Sequence, residues 1–156
     1  MRAIASQDKA LLAAAMLRLS AASSYGRFLS PKSRLSVAEL RYLTEVDGYN
    51  HFALIAVAAA DPRCLVGVGR YVRQRDDPHT AELAVVVDDQ WQGMGLGRHL
   101  GLSLADHARE RGVRRLMGLV LSENVAAHRL LAAISGRLSR SSRHAGVSEV
   151  YAELAA

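Results

Sequence analysis

The chain has 156 residues, 50% hydrophobic and 22% charged, with a formal net charge of +5; the length predicts one domain over residues 1–156, and the composition excludes a disordered chain. Its single cysteine, Cys64, excludes an internal disulfide; no Cys/His cluster has zinc spacing, and no apolar run reaches the ~18 residues of a membrane span, so a soluble, cytoplasmic protein with no metal and no membrane partner is expected. The positive charge rests on arginine, since lysine occurs only at positions 9 and 32; scattered as it is, with 5% aromatics and no helix-turn-helix or RNA-binding motif, it argues against nucleic acid and fits an anionic small ligand.

In chain order, a short strand over 2–5 leads into a helix in which Leu12, Ala15, Met16 and Leu19 fall at i, i+3, i+4, i+7. Residues 10–17 behind Arg2 and Lys9 read as part of that amphipathic helix rather than as a leader, because Asp8 sits in the charged segment. The Ser, Gly and Pro of 20–31 indicate loop or short helix. Ser36 with Glu39 is a capping-box pattern that opens a helix running to about 46. Three apolar runs follow, 52–59, 65–72 and 80–87, separated by turn-rich Asp61-Pro62-Arg63 and Asp76-Asp77-Pro78, which is the pattern of an antiparallel meander. A helix over 96–111 carries Leu96, Leu100, Leu104 and Ala108 down one side and stops at Gly112. A strand over 116–121, a helix over 125–134 and a strand over 147–154 complete the order. The strand pair bridged by the whole helix between 87 and 116 has to be parallel within an otherwise antiparallel sheet, which makes the fold class mixed α/β or α+β.

The chemistry concentrates in 81–98, where a strand runs through Asp88-Asp89-Gln90-Trp91-Gln92-Gly93-Met94-Gly95-Leu96-Gly97-Arg98 into a helix start. Alternating glycines let main chain approach a ligand, and unpaired N–H groups at a helix N-terminus bind phosphate. No Gly-Lys-Ser/Thr follows, which excludes a Walker loop, and Leu100 stands where a Rossmann fingerprint needs glycine. The remaining pattern, Gln92-x-x-Gly95-x-Gly97 after a strand, resembles the pyrophosphate loop of the GNAT (Gcn5-related) N-acetyltransferases. Leu121-Ser122-Glu123-Asn124, ending one strand and opening a helix, is similar to that family's second coenzyme A element. Farther upstream, Leu19-Ser20, Ser24-Tyr25-Gly26-Arg27-Phe28, Tyr42-Leu43-Thr44, Asp47, His51 and Gly67-Val68-Gly69-Arg70-Tyr71 resemble the Pat-type protein lysine acetyltransferase branch.

The resemblance implies a mostly antiparallel sheet of six to seven strands flanked by helices, acetyl-CoA as co-substrate and a primary amine as acceptor, with protein lysine preferred over a small amine or amino acid. A non-catalytic acyl-CoA-binding module is the rival from another class. An amine with a pKa near ~10.4 arrives protonated and has to lose a proton before attack. The resemblance assigns that task to Glu82, with a solvated strand glutamate as the alternative. It also implies that the main chain at Val85 and Val87 pairs with the pantetheine arm, and that an N–H near Val86 or Val87 stabilises the oxyanion. Gln92, Gly93, Met94, Gly95, Leu96, Gly97 and Arg98 would hold the pyrophosphate, and Asn124 the pantetheine arm unless it is only a helix cap. The sequence departs from the wider family at Leu131, where many members have a tyrosine that protonates the leaving sulfur, and at Ser135-Gly136-Arg137, where they have Gly-Phe. His51, Tyr25, Arg27 and Phe28 stand either as walls of an acceptor pocket or as packing. Arg109, Arg111, Arg114 and Arg115 form either a solvated rim or a contact to the 3′-phosphate of the cofactor.

Overall fold

Apolar runs of period two pair into the sheet that positions the site. A computed structural model describes residues 1–142 and 144–155. Among these, the strands are β1 (Arg2–Ala3), β2 (His51–Ala58), β3 (Asp61–Arg73), β4 (Thr80–Val87), β5 (Arg115–Leu121), β6 (Leu138–Ser142) and β7 (Val147–Glu153). They lie in the order β1-β2-β3-β4-β5-β7-β6. The α-helices are α1 (Lys9–Arg18), α2 (Ala21–Phe28), α3 (Val37–Thr44), α4 (Leu96–Glu110) and α5 (Val125–Ile134). Neighbouring strands are antiparallel except β4 and β5, whose parallel pairing is what a crossover through α4 requires.

Local signals set most boundaries. Ser36 Oγ accepts from Glu39 N–H at 3.1 Å and the Glu39 carboxylate accepts from Ser36 N–H at 2.7 Å, so the capping box starts α3. The stretch 20–31 resolves as α2, whose first turn is closed by Ser20 Oγ accepting from Ser23 N–H at 3.1 Å. The strand β6 was not expected. Its sequence, Leu-Ser-Arg-Ser-Ser, carries no apolar alternation, because it lies at the sheet edge and pairs only with β7. The Gly-Phe departure has a simple outcome: Ser135 is extended (φ −150°, ψ 135°) and ends α5.

Two cores flank the sheet. Tyr71, Leu83, Leu104, Leu116 and Val150 are buried on the α4 and α5 side. Leu12, Leu43, Ile55, Leu65 and Val68 are buried on the α1 and α3 side. Contact on the first face depends on missing side chains in β3. A Cβ on Gly69 would stand 2.7 Å from Leu104 Cδ1, and one on Gly67 would stand 3.1 Å from Leu100 and Leu96. α4 therefore sits down directly on β3, which fixes where its N-terminus opens. His107 belongs to this packing. Its ring stacks on Phe52 at 3.4 Å between centroids, and its Nδ1 lies 3.0 Å from the Tyr71 hydroxyl. His99, eight residues earlier, is exposed, so the two form no common site.

Candidate active site

The strand β4 has two different edges. Along β3 it is paired from Arg73↔Ala81 to Gly67↔Val87, whereas along β5 pairing covers only Thr80↔Arg115, Ala81↔Leu116 and Glu82↔Met117. Beyond Glu82 the two parallel strands diverge and leave a wedge. Asp88 N–H donates to Val66 O and Gln74 N–H to Thr80 O, both at 2.9 Å. Antiparallel ladders alternate bonded and non-bonded pairs, so the bonded partners toward β3 are the even-numbered residues of β4, Val86 included. The N–H and C=O groups of Val85 and Val87 consequently face the wedge, where an extended ligand arm can pair with both groups of Val85 and with the N–H of Val87; Val87 O is taken by the Gln92 side chain. The Val86 side chain points to the α1 side.

The wedge ends on the glycine loop. Gly93 and Gly95 hold φ of +75° and +84°, and a Cβ at either would meet nothing within 4 Å. Those backbone angles, rather than crowding, demand glycine here. The first intrahelical bond of α4 is donated by His99 N–H to Gly95 O at 2.9 Å, so the N–H groups of Leu96, Gly97 and Arg98 precede it and have no helical acceptor. Unpaired donors at the positive end of a fifteen-residue helix form an anion nest, and a diphosphate fits that chemistry. Trp91 packs beneath the turn with Leu96 against Ala56, Ala58 and Val66. Met94 and Arg98 are exposed on its rim.

Gln92 performs a task that its position in the motif does not reveal. Its Nε2 donates to Val87 O at 3.0 Å and to Ser23 Oγ at 3.1 Å, so it ties the nest to β4 and α2. Asp89 strengthens the same joint by accepting from Ser20 N–H, Ser20 Oγ and Ser23 Oγ at 2.7 to 2.9 Å. Arg18 adds a bond to Leu65 O at 2.6 Å and one to Asp88 at 3.1 Å. No local motif reveals this α1–α2 riveting, because its partners lie 47 to 70 residues apart.

Asn124 caps α5, its Oδ1 accepting from Ala127 N–H at 3.1 Å. Its Nδ2 faces Gly26 of α2, where an added Cβ would stand 3.6 Å away. Leu131 is 3% exposed and packs over Gly118, so the position of the family tyrosine is core and offers no proton donor. The arginines at 109, 111, 114 and 115 surround the C-terminal end of α4, one helix length (~22 Å) from the nest. Arg109, Arg111 and Arg115 there pair with Asp106, Glu110 and Asp77, as a surface rim does.

Glu82 sits at the apex of the wedge, exposed, on the face of β4 opposite Leu83. Among the described residues no ion pair or side-chain hydrogen bond engages its carboxylate. The same sheet face carries His51 and Arg70, and α2 brings Arg27 within electrostatic reach of Glu82. Arg70 is 4% exposed; its Nη1 donates to Leu43 O at 3.0 Å and to His51 Nε2 at 2.8 Å. Burial brings the Arg70 guanidinium down to about 9, helped by the like charge of Arg27. Burial also lowers His51 to about 4, with Arg70 and Arg27 acting in the same direction and Asp47 opposing them. His51 is therefore the neutral acceptor of the Arg70 bond. The Tyr42 ring lies 5.0 Å from it.

A neutral buried His51 makes folding stability depend on pH. The unfolded chain protonates His51 near its ordinary ~6.5 and the folded chain only near about 4, so the unfolded state binds more protons between these values. Folding stability should fall on acidification across that window by roughly 2–3 kcal/mol from this residue. Asp8, Asp47 and Asp77, whose pKa values hydrogen bonds lower from 3.8, lose their stabilisation at still lower pH. Urea midpoints at pH 7 and 4.5 should differ clearly less in His51→Gln than in the parent, and equal pH dependence would refute the neutral assignment.

A half-splayed sheet edge and a glycine anion nest at a helix start together form a cleft for an extended ligand with an anionic end, and a lone carboxylate, Glu82, stands at its apex. Residues 14–136 match the Acetyltransferase (GNAT) family, and the chain belongs to that family. It is 33% identical over 116 residues to acetyltransferase Pat of Mycolicibacterium smegmatis, covering 74% of this chain and 34% of that protein. It is 32% identical over 118 residues to an acetyltransferase of Pseudomonas aeruginosa, covering 75% of this chain and 63% of that one. The chain thus spans about a third of the first relative and just under two thirds of the second. Its fold superimposes on the crystal structure of the GNAT domain of S. lividans PAT with a TM-score of 0.86 at 27% identity, over 98% of this chain and 89% of that one. A Salmonella typhimurium structure described with its cofactor acetyl-CoA shares the fold, with a TM-score of 0.73 at 18% identity, over 98% of this chain and 91% of that one.

Proposed function

We propose that the chain is an N-acetyltransferase that moves an acetyl group from acetyl-CoA to a primary amine, a protein lysine ε-amine in the first instance, with Glu82 as general base. The observation that carries this reading is the coincidence of three features at one point: the last β4–β5 pair falls at Glu82, the open main-chain groups of Val85 and the N–H of Val87 follow it, and the Gly93–Gly95 nest closes the wedge. Acetyl-CoA, held along Val85 and Val87 and at the N–H groups of Leu96, Gly97 and Arg98, supplies an activated thioester. The Asn124 amide N–H, which faces Gly26 of α2, is assigned to the pantetheine arm in this reading. Glu82 removes the ammonium proton, directly or through one water, and exposure of its carboxylate lets that proton pass to solvent. The N–H of Val87 faces the wedge and stabilises negative charge on the carbonyl oxygen. With Leu131 in the core, the thiol departs as thiolate, which a thiol pKa of ~8.5 permits near neutrality. The lone thiol Cys64 fits a cytoplasmic setting for this chemistry.

The lysine preference draws on the likeness to the Pat branch, carried in this chain by the α2–β3 segment. The experiment is a thiol-release assay with acetyl-CoA across lysine peptides, free amino acids and small amines. Acceptor-dependent release is expected. Cofactor binding without release from any amine would leave a binding module in place of an enzyme.

A further inference from the structure

Beneath α1 and α2 lies a partly open pocket of about 40 Å³, lined by apolar side chains of α1, α3, β3 and β4 and by two cations, Arg27 and Arg70. Glu82, whose carboxylate is held in no ion pair among the described residues, lies within electrostatic reach of Arg27 without forming an ion pair with it. Among the described residues neither guanidinium has a carboxylate within ion-pair distance, and Arg70 donates through Nη1 to two uncharged acceptors. The one carboxylate on the cavity wall, Asp88, is held by Arg18 at 3.1 Å. Buried charges are costly unless an opposite charge compensates them, and here two like charges share one apolar space. The planar guanidinium forks match a carboxylate in geometry as well as in sign. By volume the space takes about three water molecules, or one carboxylate with a methylene.

Its location ties it to the reaction. Arg70 lies opposite Ala84 in the β3–β4 ladder, and Ala84 shares the sheet face of Glu82 two residues (~7 Å) further along β4. A substrate ammonium approaching Glu82 therefore meets two guanidiniums on the same side, and a carboxylate carried with the substrate would offset that repulsion. Resting on the acyl-transfer part of the reading above and departing from its preference for acetyl-CoA with a plain lysine, we propose that Arg27 and Arg70 form a carboxylate subsite beside Glu82, so that the preferred substrate carries an acidic group next to the reacting centre. That group comes either from the acyl chain of a dicarboxylic thioester or from an acceptor with a carboxylate near its amine.

Two matched pairs of substrates separate these sources. On the donor side, succinyl-CoA is compared with butyryl-CoA, its uncharged near-isostere, at one fixed amine. On the acceptor side, free amino acids are compared with their amides at fixed acetyl-CoA. The expected result is a ratio of kcat/KM favouring the carboxylate by about 10-fold to 100-fold in one pair, the scale of a hydrogen bond to a charged group. In Arg27→Gln that ratio should collapse toward one. Reading a ratio within each protein cancels a general loss of activity, and Arg27 lies in the partly exposed α2, so the test does not require substituting buried Arg70. Calorimetry on the same pairs gives an answer independent of turnover. Tighter binding of the charged member, lost in Arg27→Gln, supports the subsite even if no acetyl transfer is found. Equal affinities and equal kcat/KM within both pairs overturn the subsite while leaving acetyl transfer to uncharged amines intact.

Discussion

Replacing Glu82 by glutamine should lower turnover at neutral pH by roughly 10²-fold or more, the usual scale for a lost general base. The side chain keeps its size and its place opposite Val72 and Met117 in the ladder, so the sheet should hold. No ion pair or side-chain hydrogen bond to Glu82 is broken among the described residues, so the melting temperature should move little. Cofactor affinity should also be retained, because the groups placed to bind it are main-chain atoms of Val85, Val87 and the nest. The measurements are steady-state thiol release between pH 6 and 9, and calorimetry with coenzyme A. Undiminished release by the variant over the whole range would remove Glu82 from the mechanism.

The second large effect belongs to Gly95. At φ +84°, ψ 0° a valine is strained by ~1–2 kcal/mol or more, and its β-branch makes that region harder still to reach. Nothing within 4 Å would clash with a Cβ there, so the defect is confined to the loop backbone and to the direction of the N–H groups it presents. Gly95→Val should weaken coenzyme A binding by about 10-fold to 100-fold, since each 1.4 kcal/mol is a factor of ten. Global stability should fall by less than for a comparable change at Gly69, where Leu104 blocks the added atom. An unaltered dissociation constant for coenzyme A would show that the nest does not grip the diphosphate.

These two residues also show how legibility varied along the chain. Gly95 was readable because a positive-φ turn before a helix leaves a local signature, Gly-x-Gly between a strand and an amphipathic run. Glu82 was readable in position and not in environment: it falls in the apolar run before the glycine loop, but nothing local says that β5 departs from β4 at that residue. Gln92 was readable as part of a motif, while its bonds to Val87 O and Ser23 depend on where α2 comes to rest. The strand β6 escaped because an edge strand can be assembled from polar residues whose stability comes from one neighbour's backbone.

By itself the sequence determined the elements other than β6, their order, the parallel crossover at α4 and the glycine turn before it, because each follows from periodicity or backbone preference along a short stretch of chain. The tertiary structure alone decided which strand edge stays open, which cations meet beside Glu82, and how α2 is riveted to the nest. Those outcomes depend on contacts between segments 20 to 70 residues apart, where loop closure and side-chain packing choose the neighbours and local pattern carries no information about them.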